Sequence, residues 1–102
     1  MLQEFYELLK PRLEALNGIE GLEIVLYQTE MSMSNGNPSI QVRLESQAYI
    51  ADLGCWSSKT ADFGAVDFST GEYVVNCAFP FEEVAEVVPY LDKIFSLFLP
   101  KR

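Results

Sequence analysis

The feature that most constrains this chain is a change in the spacing of its apolar residues. Leu2, Phe5, Leu9, Leu13 and Leu16 recur every three or four positions, the period of one helix face. From Gly21 the period becomes two, with Leu22, Ile24 and Leu26 alternating with Glu23, Val25 and Tyr27. From Phe81 to Leu99 the helical spacing returns through Val84, Val87, Val88, Leu91, Ile94, Phe95 and Phe98. A chain patterned in this way has one helix at each end and only strands between them.

Turn chemistry divides the middle. The first strand is predicted from Gly21 to about Met31, followed by a loop over Ser32–Pro38, whose Ser, Asn, Gly and Pro content suits irregular backbone. A second strand runs from Ser39 to Gln47 with Ile40, Val42 and Leu44 on one side, and a third from Ala48 to Trp56. Ser57-Ser58-Lys59-Thr60 and Ser69-Thr70-Gly71-Glu72 are the next turns, bounding strands Ala61–Phe68 and Tyr73–Phe79. Asn17-Gly18 stops the first helix, and Pro80 closes the last strand. Pro11 and Pro89 lack the donor a helix interior needs, so a kink or restart is expected near Lys10, and the last helix should bend or divide at Pro89. Short connections pair neighbours in sequence. The expected fold is α+β: an antiparallel five-stranded meander with the N- and C-terminal helices packed on one face, in a single domain over residues 1–102.

Charge narrows the partners. Fifteen acids stand against seven bases with no histidine, a net charge of −8. Between Leu44 and Asp92 the only base is Lys59, against Glu45, Asp52, Asp62, Asp67, Glu72, Glu82, Glu83, Glu86 and Asp92. Such a surface repels nucleic acid and anionic membranes, so neither is an expected partner; the acidity itself either serves solubility alone or attracts a basic protein. Acids interrupt the richest apolar stretch, Phe81–Leu99, which excludes a membrane span. The first residues lack the basic start and apolar run of a secretory signal, and a cytoplasmic location is expected. Cys55 and Cys77 fall in predicted strands and are expected as free thiols.

A register argument then selects a surface. Two-residue hairpins centred on Ser58-Lys59 and Thr70-Gly71 would oppose Tyr49 to Phe68 and Phe68 to Tyr73. One face would then carry Tyr49, Ala51, Leu53, Cys55, Asp62, Gly64, Val66, Phe68, Tyr73, Val75, Cys77 and Phe79, and would lie under the helices. The other would carry Ile50, Asp52, Gly54, Trp56, Ala61, Phe63, Ala65, Asp67, Val74, Asn76 and Ala78. Two helices cover one face only, so this second face is expected to be open. Aromatics for buried contact beside carboxylates for steering make Asp52, Trp56, Phe63 and Asp67 the candidate partner-binding residues. An equally available account has Trp56 and Phe63 packing over Gly54 as cross-strand stabilisers. A bulge at Gly71 would turn the fifth strand over.

No catalytic pattern accompanies this surface. Without histidine there is no imidazole base and no His-containing triad, and the two cysteines are not spaced as a CxxC pair. The Ser34–Pro38 loop lacks the lysine and following helix of a phosphate loop, and the strand carboxylates lack the convergent spacing of a metal site. A binding protein without cofactor or metal is expected, not an enzyme.

Asn37-Pro38-Ser39-Ile40 opens an alternating strand, Tyr49-Ile50 leads to Trp56 at a hairpin, and Asp62 to Asp67 is followed by Thr70-Gly71-Glu72 before the final helix. This arrangement, over Asn37 to Phe98, resembles the small immunity proteins of bacterial polymorphic-toxin and contact-dependent growth inhibition systems, the TriTu immunity family. The resemblance implies a cytosolic protein that binds the C-terminal toxin domain of a secreted effector and neutralises it. Many such toxins are basic nucleases, which an acidic surface would complement. No contact residue carries over by motif, so the four candidates rest on register alone. A monomer is expected. Two other classes compete: an acidic secretion chaperone, which would usually dimerise around an unfolded client, and a small enzyme using Tyr49, Asp52 or Cys55, which would need a deep pocket.

Overall fold

The computed structural model describes residues 1–29 and 38–100. The expected loop at 32–37 and the last two positions of the expected first strand, 30 and 31, lie outside the described residues. Helix α1 spans Leu2–Leu16; strands β1 (Glu23–Thr29), β2 (Ser39–Glu45), β3 (Tyr49–Trp56), β4 (Thr60–Asp67) and β5 (Glu72–Pro80) follow; a 3₁₀ turn, Val84–Val87, leads into helix α2, Val88–Ser96. The strands form one antiparallel sheet in the order β1-β2-β3-β4-β5, the meander that the short connections predict. The fold is α+β.

Both helices pack on the same face of this sheet. Phe5, Leu9 and Leu16 of α1 and Leu91, Ile94 and Phe95 of α2 join Val42, Leu44, Leu53 and Phe63 in one buried cluster. Burying each large side chain there contributes about 1.5–3 kcal/mol. Across the strands Leu44 opposes Ala51, Cys55 opposes Ala61, and Phe63 opposes Leu53 on one side and Cys77 on the other. Phe63, Phe79 and Tyr90 form an aromatic triangle that seats α2, with the Phe79 and Tyr90 centroids 4.7 Å apart.

The prolines act differently at the two ends. Helix α1 runs through Pro11 without a break, contrary to the expected restart. In the next position the Arg12 guanidinium donates to the Leu8 carbonyl at 2.7 Å. It also reaches Asp92 of α2 at 2.8 Å, tying the two helices together. Pro89 does divide the last helix, falling in the first turn of α2, where its missing N–H costs nothing. Gly18, at φ 82°, ends the α1 segment as expected.

The Glu86 carboxylate accepts the backbone N–H groups of Glu83 and Glu82 at 2.7 and 2.9 Å, closing a capping box on the 3₁₀ turn. These bonds, Glu83's first, hold the Glu86 carboxyl below the usual carboxylate range. A depressed folded value stabilises the fold above the unfolded pKa and loses that contribution as pH falls through the folded one. Glu86→Gln should therefore lower stability at pH 7, and the gap from the parent protein should narrow in urea titrations repeated at progressively lower pH.

Both hairpins depart from the two-residue expectation, with consequences for every face assignment on β4. The β3–β4 connection has three residues, Ser57, Ser58 and Lys59, closed by the Lys59 N–H on the Trp56 carbonyl at 3.0 Å. Lys59 takes φ 63°, the left-handed position such a loop requires. Tyr49 therefore opposes Asp67 instead of Phe68, and β4 is turned over relative to expectation. The β4–β5 connection has four residues, Phe68 to Gly71, and the register then slips by one residue at Val74, between the Val66–Tyr73 and Ala65–Val75 pairs. The bulge lies in the strand and not at Gly71. The two one-residue changes cancel, so Val75, Cys77 and Phe79 stay under the helices as expected. Replacing Lys59 with glycine removes the left-handed strain of a residue with a Cβ and should raise unfolding free energy by about 0.5–1 kcal/mol in denaturant titration.

Candidate functional site: the open face of the sheet

The face opposite the helices is a shallow groove of about 660 Å³ running across β2 to β5. Its floor follows from the three-residue loop, because an odd loop pairs even-numbered residues of β3 with even-numbered residues of β4. Asp52 opposes Gly64 and Gly54 opposes Asp62, a checkerboard of two carboxylates and two glycines at the centre. An aromatic ring closes on each glycine. A Cβ at Gly54 would lie 2.6 Å from Cη2 of Trp56, and one at Gly64 would lie 3.4 Å from Cε1 of Tyr73. Ile50 and Val66 add apolar wall, and Asn76 a polar one.

Trp56 lies over Gly54 as the packing account expects, and it is also half-exposed in the groove. It is the chain's single tryptophan, so its emission reports this site alone. Gly54→Ala must push the ring away, whereas Gly64→Ala meets only ordinary van der Waals contact. The expected result is a red-shifted Trp56 emission in Gly54→Ala and a parent-like spectrum in Gly64→Ala.

The charges are uneven. Arg43 opposes Asp52 directly and holds it through Nε at 2.9 Å, with a second, longer contact from its Nη2 at 3.4 Å. At the rim Glu23 opposes Glu45, two exposed like charges that repel each other until a cation approaches. Asp62 is exposed and makes no hydrogen bond or ion pair among the described residues. It lines both the central groove and a second concavity of about 450 Å³ at the Thr60–Pro80 end of the sheet, and Trp56 is shared by both as well. The described part of the face thus carries Glu23, Glu45, Asp52 and Asp62 against Arg43.

Of the four sequence candidates, Asp52 and Trp56 lie on this face. Phe63 does not: it is fully buried under the helices, because the three-residue loop turns β4 over. Asp67 follows it to the helix side, opposite Tyr49, where its carboxylate accepts the Ser69 N–H at 2.8 Å and the Ser69 hydroxyl at 2.7 Å to brace the distal turn. Ala61 and Ala65, expected on the open face, are likewise buried in the core. Asp62, Gly64 and Val66, expected under the helices, take their places on the groove. Tyr73 joins them because the bulge at Val74 releases it from the core side, leaving it 61 % exposed. Phe68, also expected in the core, sits in the distal loop at 49 % exposure.

Neither cysteine is poised as a nucleophile. Cys55 is buried beneath the helices, and burial pushes its thiol up to about 11. Cys77 is raised as well, by burial first and then by the Asp62 carboxylate. Both thiols are free. Among the described residues no group of three or more Cys, Asp or Glu side chains converges to hold a metal, and no helix is long and apolar enough to cross a membrane.

The family model for immunity protein TriTu matches residues 4–97, from the first turn of α1 to just past α2. The chain belongs to the TriTu immunity protein family. The match covers the whole sheet, α2 and all but the first two residues of α1, and so extends beyond the Asn37–Phe98 segment to α1 and β1. No curated protein matches the chain. Immunity proteins are generally not catalysts; they neutralise a cognate toxin by binding it. A TriTu immunity protein is therefore a chain whose function lies in a protein-binding surface, and the groove joins aromatic, aliphatic and carboxylate groups in one concavity.

Proposed function

We propose that this protein neutralises a basic toxin domain, of the nuclease type, by holding it against the open face of the sheet in the cytosol. The observation that carries this is the groove between Trp56 and Tyr73, with Asp52 and Asp62 at its centre. Aromatic side chains supply large contact area at low entropic cost, and the surrounding acids speed and orient the approach of a cationic partner. The protein acts as a monomer and not as an enzyme: it occupies the toxin's surface and does no chemistry there. Asp52 and Trp56 are contact residues, joined by Asp62 and Tyr73.

The test is co-expression with the product of the gene immediately upstream. Rescue of growth together with an equimolar complex on affinity purification is the expected result. Failure of both would overturn the reading and return the chaperone and enzyme classes to consideration.

A further inference from the structure

The groove has one carboxylate with no counter-ion among the described residues, and its neighbours say what would satisfy it. Asp52 already holds Arg43, so the central acid pair is half neutralised. Asp62 has no such partner. It faces Gly54, whose missing side chain lets the Trp56 ring reach back across the strand and bury the glycine. Trp56 and Asp62 are also the two residues that line both concavities. An indole beside an unpaired carboxylate above a glycine offers a cation a ring quadrupole and a hydrogen-bonding anion together. A planar guanidinium uses both, stacking on the indole while its N–H fork meets the carboxylate, whereas an ammonium is more strongly hydrated and gains less.

We infer that the Trp56–Asp62 corner is a receptor for one arginine side chain of the toxin. Arg43 on Asp52 shows the same chemistry within the chain, 2.9 Å from a carboxylate on the same face. The inference rests on the proposed role of the face and names the group that the face takes.

The test needs no toxin. A hexapeptide of alternating arginine and glycine is titrated against the whole protein at about 0.15 M salt, where the Debye length of about 8 Å removes long-range attraction. Trp56 emission is the readout. A peptide with citrulline in place of arginine keeps the shape and loses the charge. The expected result is a saturable change in emission with the arginine peptide and none with citrulline. Asp62→Asn should weaken the arginine peptide at least fivefold, while Glu82→Gln, which removes one exposed negative charge elsewhere, should leave it unchanged. Equal weakening by the two variants would reduce the effect to net charge and overturn the inference, as would an emission that ignores the arginine peptide. Either failure leaves the toxin complex itself untouched, so it is separable from failure of the co-expression test.

Discussion

Phe63→Ala is expected to lower unfolding free energy by about 3–5 kcal/mol, the usual cost of emptying a phenylalanine site in a packed core. Phe63 is fully buried and touches the rings of Phe79 and Tyr90, so its loss leaves a cavity beneath α2 and unseats the aromatic triangle. A domain of this size has about 5–15 kcal/mol in total, so the loss is a large fraction of its stability. Its neighbour Asp62, one residue away on the other face, should tolerate asparagine with a change under about 0.5 kcal/mol. Urea titrations of the two variants read the register of β4 directly. A Phe63→Ala cost below about 1 kcal/mol would mean that the ring lies at the surface and that the hairpin is two residues long after all.

The second large effect concerns binding. Trp56→Ala combined with Tyr73→Ala removes both aromatic walls of the groove, and anchors of this kind are worth about 2 kcal/mol or more each at protein interfaces. The loss in toxin affinity should be at least about a hundredfold, read by calorimetry or by loss of growth rescue. Neither residue belongs to the buried cluster, so the variant should keep its sheet and helices by circular dichroism. Phe68→Ser supplies the contrast, since it removes an exposed aromatic of the distal loop outside the groove and should leave affinity unchanged.

Element order, strand pairing and the side on which the helices pack were all legible in the sequence, because they depend on period and on connection length. The faces of β4 were not. Their assignment rested on the turn, and a three-residue loop with Lys59 in the left-handed region looks in composition much like a two-residue one. The strand itself held a better signal. Ala61, Phe63 and Ala65 alternate with Asp62, Gly64 and Val66, and a register that buries the aspartate and exposes the phenylalanine contradicts that binary pattern. Asp62 would have been found on the groove by that rule. Tyr73 would not, because its place depends on a bulge at Val74 that no local residue type announces. Pro11 leaves α1 unbroken for a related reason: a helix packed along one side on the sheet and α2 tolerates a missing donor that an isolated helix would not.

The most direct test of the central claim uses the single tryptophan. The protein is produced with 5-fluorotryptophan, which places one fluorine on residue 56, and unlabelled toxin is added to equivalence. If the toxin sits on the open face, the lone ¹⁹F resonance shifts and broadens in step with complex formation. A resonance that stays in place while a stable complex forms would show that the toxin binds elsewhere, and the groove between Trp56 and Tyr73 would lose its assignment.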